Sequence, residues 1–257
     1  MVIWSTKRRI FYTLGALAIL SSIGGLIYMT QYYQPPSCTD RKQNQGEGGV
    51  DCGGPCSVVC EDQFIKPIVS WSRVFQSGKG LYNAVAYVEN PNTDFGVKEA
   101  VYRFKLYDEN NLYITERVGK TYIRPNEQFA IFEPRLSVGE RIPKRAFFDF
   151  ISYSDWIKIE GPKPDIFVNA PIPTTGQTPR VNVSLRNKNN VDVNNVNVVA
   201  VVYDNEDNAI AASASVVDVI PADSATEVVF TWPTPFLFTP TRVEVIPRVD
   251  PFELPVE

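Results

Sequence analysis

The pattern of hydrophobic and polar positions changes along the chain, from one unbroken apolar run to strict alternation. Ile10 to Met29 is twenty residues without a charge. At about 1.5 Å rise per residue such a helix reaches about 30 Å, the thickness of a bilayer's hydrocarbon core. A helix buried in a soluble core rarely runs this long without a polar face. The run therefore predicts a membrane-spanning helix over 10–30. Trp4, Phe11 and Tyr12 flank one end and Tyr28, Tyr32 and Tyr33 the other, as aromatic belts do at the two interfaces. From Phe64 onward the period falls to two. Tyr102, Phe104 and Leu106 alternate with Arg103 and Lys105, the pattern of a half-buried antiparallel strand. Asp108-Glu109-Asn110-Asn111 supplies a turn before Leu112-Tyr113-Ile114. Val196 to Tyr203 is a second long strand, apolar on both faces towards its end and so expected at the centre of a sheet.

These strands recur with a period of about 96 residues. Asn90-Pro91-Asn92 matches Asn187-Lys188-Asn189, Tyr107-Asp108 matches Tyr203-Asp204, and Ile123-Arg124-Pro125 lies near Ile220-Pro221. Two units of about a hundred residues with this pattern predict tandem antiparallel β-sandwiches of Ig-like architecture. The Cys…Trp…Cys spacing of antibody domains is absent. The expected organisation is a cytoplasmic N-terminus over 1–9, the span over 10–30, and a cysteine-rich linker over 31–62. The sandwiches follow over 63–160 and 161–257.

Charge sets the orientation. Lys7, Arg8 and Arg9 precede the span and the next basic residue is Arg41. The positive-inside rule puts the N-terminus in the cytoplasm and the rest outside. The apolar run exceeds the 7–15 residues of a signal peptide, and TQYYQPPS offers no A-x-A-like cleavage site. An uncleaved anchor in the cytoplasmic membrane is expected. Ala18/Ser22 and Ser21/Gly25 are small pairs that suit close approach of a second helix. Beyond the span 29 acids face 22 of the 25 basic residues, a net of −7. That balance argues against nucleic acid as a partner, which needs a basic surface.

Four cysteines, Cys38, Cys52, Cys56 and Cys60, lie within 23 residues and none lies elsewhere. In an exported segment too small and Gly-rich to bury a core, they read as two disulfides, with three pairings open. The rival reading is a four-thiolate zinc site, but the x13, x3, x3 spacing lacks paired CxxC motifs. Asp40, Asn44, Glu47 and Asp51 are interleaved with Gly46, Gly48 and Gly49. Oxygen donors on a glycine-bent loop are a candidate Ca²⁺ set, against the alternative of a solvated loop making its own turns. No other cofactor is expected.

The segment CTDRKQNQGEGGVDCGGPCSVVC resembles a cysteine motif of exported bacterial and archaeal proteins, with Arg41 where that motif usually has Gly. The resemblance implies export and a structural knot. Phe104-Lys105-Leu106-Tyr107-Asp108 reads F-x-L-Y-D, and the unit around it resembles the FxLYD family of small β-sandwich domains. The second copy keeps Val202-Tyr203-Asp204 but has Ala200 in the Phe position. This resemblance implies envelope or secreted modules without catalytic residues, and it makes Phe104, Tyr107 and Tyr203 core or corner residues.

The chain has no histidine. That removes Ser-His-Asp and Cys-His catalysis and the usual neutral-pH general base. Asn182-Val183-Ser184 is a glycosylation sequon, and Gly78-Lys79-Gly80 lacks the frame of a phosphate loop. The last residues, Glu253 to Glu257, faintly resemble a sortase signal without its Thr-Gly and hydrophobic tail. The expectation is a non-enzymatic envelope protein presenting two sandwiches to a protein or cell-wall partner. An accessory subunit of a secretion, pilus or transport complex is the alternative, and an extracytoplasmic hydrolase the remote one.

Overall fold

The computed structural model describes residues 4–32, 37–159 and 163–252. Tyr33, the expected sandwich boundary at 160/161 and the terminal Glu253–Glu257 lie outside the described residues. The chain forms two compact units, Met1–Cys56 and Ser57–Glu257.

In the first unit, α1 (Trp4–Ile27) runs into a π-helical turn over Tyr28–Tyr32. Among the described helices, the stretch Thr6–Gln31 is long and apolar enough to cross a membrane. The helix begins before the apolar run, so Lys7, Arg8 and Arg9 lie on its first turns, with the Arg8 guanidinium 4.9 Å from the Trp4 ring. The polar loop that follows is closed by a disulfide between Cys38 and Cys56.

The second unit is built from strands whose alternation supplies one apolar face each. In the first sandwich, β1 (Ile68–Gly78), β2 (Leu81–Asn90) and β5 (Glu127–Ser137) make one sheet in the order β1-β2-β5. The facing sheet has β3 (Phe95–Tyr107) between β4 (Tyr113–Ile123) and β6 (Arg145–Tyr153), with the short β7 (Trp156–Lys158) also on β3. Tyr102, Phe104 and Leu106 are buried while Arg103 and Lys105 are half-exposed, as the alternation requires. Phe104, Phe129, Phe148 and Trp156 fill the core between the sheets.

The second sandwich repeats this wiring strand for strand. Its strands are β8 (Ile166–Asn169), β9 (Arg180–Asn187), β10 (Val193–Tyr203), β11 (Ala209–Ile220), β12 (Ala225–Thr231) and β13 (Arg242–Arg248). The sheets read β12-β9-β8 and β11-β10-β13, the same orders as the first copy with seven added to each number up to β6. Val183, Leu185, Val198, Phe230 and Trp232 make its core.

The repeat extends to buried hydrogen bonds. Asn90 Nδ2 donates to the Phe95 and Arg124 carbonyls at 2.9 and 2.7 Å, while its Oδ1 accepts from Asn92 Nδ2 at 2.6 Å. Asn187 Nδ2 donates to the Val191, Ile220 and Pro221 carbonyls, and its Oδ1 accepts from Asn189 Nδ2 at 2.6 Å. The Tyr-Asp turns match as well. Asp108 Oδ1 accepts from the amides of Asn110 and Leu112, and Asp204 Oδ1 from those of Glu206 and Asn208, all at 2.9 Å. Each Asn or Asp satisfies the backbone where one strand ends and the next begins, where a bare turn would leave polar groups orphaned.

Both faces of β2 and β10 are apolar because the two sandwiches share a third core. Val85, Tyr87, Ala130 and Phe132 of the sheet β1-β2-β5 pack against Val199, Val201, Tyr203 and Ala212 of the sheet β11-β10-β13. The central position expected for Val196–Tyr203 is thus explained by four stacked sheets and not by one sandwich alone.

Candidate functional site

The cysteine-rich loop is tied down by its own oxygens. Glu47 is buried at 7% exposure. Its Oε2 accepts from the amides of Asn44 and Asp51 at 3.2 and 3.4 Å. Asp51 accepts the Arg41 amide with both carboxylate oxygens, at 2.9 and 3.1 Å. Asp40 accepts from Asn44 Nδ2 at 2.8 Å and from the Lys42 amide at 2.9 Å. The hydrogen bond from Asn44 holds the Asp40 carboxyl below its ordinary range. Asn44 Oδ1 is buried without a hydrogen-bond partner among the described residues.

Cys38, Glu47 and Cys56 bring three ligand-type atoms within 4.8 Å of one another. The two sulfurs are joined as a disulfide. Cys52 and Cys60 are disulfide-bonded too, and among the described residues no cysteine is free. The four thiolates of a zinc site are therefore absent, because each sulfur is spent in an S–S bond. Among the described residues Asp40, Glu47 and Asp51 do not form a carboxylate cluster of that size. Closing a loop of 18 residues contributes on the order of 3 kcal/mol.

A larger feature sits in the second unit. A cleft of about 990 Å³ opens between the sandwiches. One wall is β4 and β5, with Arg117, Lys120, Tyr122, Phe132 and Arg135, and the other is β10 and β11, with Asn195, Asn197 and Ser215. Arg248, at the end of β13, belongs to the second sandwich and is anchored in the first. Its Nε and Nη2 donate to the two Glu127 oxygens at 3.0 Å each. Nη1 donates to Thr121 Oγ1 at 3.1 Å and Nη2 to the Tyr122 carbonyl at 2.8 Å. The guanidinium lies 4.0 Å from the Phe129 ring and 4.3 Å from the Tyr122 ring. Burial disfavours its charge, but Glu127 beside it outweighs burial and holds the group firmly protonated.

Around it, Tyr102 donates its hydroxyl to Glu133 Oε1 at 2.8 Å, and Gly119 opposite leaves room for both, since a Cβ there would fall 2.4 Å from Tyr102 Oη. The Tyr122 hydroxyl is buried without a partner among the described residues, and burial pushes it up to about 12. Tyr87 donates to Glu244 at 2.7 Å, and Arg73 reaches the Asn208 side chain and the Ala209 carbonyl. The junction is thus apolar at its centre and hydrogen-bonded around its margin. Its rim mixes Arg117, Lys120 and Arg135 with Asn195, Asn197 and the half-exposed Asp250, and Lys120 is paired with Glu99, so it suits non-covalent contact with a polar group.

Of the residues singled out in the sequence, Cys38, Cys52, Cys56 and the four oxygen donors share the loop of the first unit, Cys60 belongs to the second unit, and Lys7, Arg8 and Arg9 lie on α1. Sequence reasoning missed Arg248, Glu127 and the cleft. The one available signal was the apolar character of both faces of β10, which implies a partner on each side.

No family model and no curated protein matches the chain. Among solved structures, a crystal structure of red sea bream transglutaminase is similar at 14% identity with a TM-score of 0.25. The likeness covers 73% of this chain and only 29% of that one, and at such a score it carries no argument.

Proposed function

We propose that this chain is a membrane-anchored, extracytoplasmic, non-enzymatic binding protein of the cell envelope. In this reading α1 stays in the cytoplasmic membrane with Lys7, Arg8 and Arg9 inside. The disulfides favour an oxidising compartment for the remainder. The likeness of the Tyr-Asp units to FxLYD modules and of the cysteine loop to export-associated motifs points the same way.

The observation that carries the binding role is the junction between the sandwiches. Outer sheet faces that would be free in beads on a string are buried against each other, and Arg248 pins the pair. Two modules fixed this way present one pre-organised surface, which lowers the entropy lost on binding a partner. The partner classes that fit are another envelope protein or a cell-wall polymer. The test is affinity isolation of the full-length protein from gently solubilised native membranes, beside a variant whose α1 is replaced by an unrelated span. Partners retained by both forms place the binding in the sandwiches. Partners lost with the helix swap would favour a complex subunit held through α1.

A further inference from the structure

Arg124 stands in the turn between β4 and β5 and is fixed at both ends. Its amide donates to Glu127 Oε2 at 3.3 Å and its carbonyl accepts from Asn90 Nδ2 at 2.7 Å. At the far end Nη1 donates to the Val249 carbonyl at 3.2 Å. The residue is only 8% exposed. Yet the guanidinium edge made by Nε and Nη2 has no acceptor among the described residues, and both nitrogens still touch solvent. Arg248 shows what such an edge is for. It spends its own Nε and Nη2 on the two Glu127 oxygens, so that carboxylate is committed and leaves nothing for the Arg124 edge.

A cleft of about 610 Å³ opens at this point. Arg124, Lys158 and Lys163 line it, against Asp94 as the one acid among the described lining residues. Phe95, Pro125 and Ile159 give it an apolar wall. Lys163 donates to the Asn126 carbonyl, and burial together with the Arg124 charge holds its ammonium below the ordinary lysine value. Two cations thus face one cleft, and the more buried of them has half of its fork empty. A buried charge left without a counter-charge is costly, and the fold has not supplied one here.

We propose that this cleft is a carboxylate-binding site, in which the two ligand oxygens take Nε and Nη2 of Arg124 and Lys163 adds a second positive charge. Two parallel N–H donors in a rigid plane match the two oxygens of a carboxylate. Phosphate would fit the fork too, but its further negative charge would meet Asp94 and an apolar wall, which favours the singly charged group. The volume is that of a small-molecule site, about 300–1,000 Å³.

NMR of the full-length, detergent-solubilised, ¹⁵N-labelled protein tests it, with acetate as the probe at constant ionic strength. The readouts are the Arg124 Nε–H resonance and the amides of Phe95 and Ile159. All three should shift and saturate. Arg124→Lys keeps the charge but loses the fork, and should weaken acetate by about tenfold at the two amides. Lys163→Gln should weaken it several-fold, and because Lys163 is exposed that variant carries the test alone if Arg124→Lys fails to fold. Shifts that never saturate, or that chloride reproduces in full, overturn the site. Unchanged acetate affinity in Lys163→Gln overturns the paired cations. Inorganic phosphate saturating the same resonances more tightly than acetate overturns the choice of carboxylate.

Discussion

Arg248 and Glu127 lie 121 positions apart in sequence, yet both Glu127 oxygens accept from the Arg248 guanidinium at 3.0 Å. Arg248 is only 6% exposed. A fork-to-fork pair this deeply buried is strong in geometry but also demanding, because either half alone is an uncompensated charge in a dry place. Arg248→Ala or Glu127→Ala should each cost about 3–5 kcal/mol. Replacing both by apolar residues of similar volume, R248M with E127L, should recover most of that loss. Denaturant titration of the three proteins measures it. Single variants as stable as the parent would mean that the pair does not hold the junction.

The cysteine loop holds Arg41, Gln45 and Asp51 at positive φ and needs glycine at Gly54. Arg41 sits at φ 61°, in the left-handed region that favours glycine. Arg41→Gly should therefore leave the loop unharmed or stabilise it by up to about 1 kcal/mol. Gly54 has φ 57°, and a Cβ there would meet the Gly46 carbonyl oxygen at 2.2 Å. Gly54→Ala should slow correct oxidation and raise the free-thiol content of the purified protein, which a thiol-reactive dye reports. A clean, fully oxidised Gly54→Ala protein would contradict this account of the loop.

How much of this was legible beforehand follows from where the forces act. Alternation at Tyr102, Phe104 and Leu106 reports burial within one sandwich, and strand period carries that directly. The repeat was visible in Asn90/Asn187 and Asp108/Asp204, because a side chain that closes a turn must keep its chemistry. Arg248 and Glu127 looked like ordinary exposed charges, since their meaning depends on two sheets meeting that sequence separation hides. The zinc alternative at the cysteines was decided only by geometry, which joins Cys38 to Cys56.

The duplicated asparagines give a symmetric prediction. Asn90→Ala strands the Phe95 and Arg124 carbonyls, and Asn187→Ala strands those of Val191, Ile220 and Pro221. Each should cost about 2–4 kcal/mol, from the two or three carbonyls left without that donor. Thermal melts of the two variants measure the cost, and a neutral substitution at either would show that the turn closes without its amide.

Alkali should weaken the fold before acid does. Burial raises Tyr87, Tyr102, Tyr122, Tyr153 and Tyr203 above the ordinary tyrosine value of 10.0, with Tyr122 and Tyr153 at about 12. The unfolded chain gives up these protons first, so their contribution is complete below pH 10 and is lost as pH rises through 12. Asp40 and Asp204 are held below 3.8, so what they contribute is lost only as pH falls below that value. Stability measured against pH should fall steeply above pH 10. A flat profile to pH 12 would contradict the burial of these hydroxyls.

The loop's oxygens bear on calcium. Asp40, Glu47 and Asp51 spend their oxygens on loop N–H groups, so added Ca²⁺ or a chelator should leave the melting temperature unchanged. A rise with millimolar Ca²⁺ that is lost in Asn44→Ala would instead assign an ion to Asn44 Oδ1 and its neighbours.

The central claim is that the two sandwiches act as one body. Trp156 is buried in the first core and Trp232 in the second, so each reports its own sandwich. Full-length variants with Trp4 and Trp71 replaced by Phe and only one of these two tryptophans kept should unfold in guanidinium along superimposable fluorescence curves, and Arg248→Ala should pull the two curves apart. Separate transitions in the parent protein would mean two independent beads, and the shared surface proposed for binding would not exist.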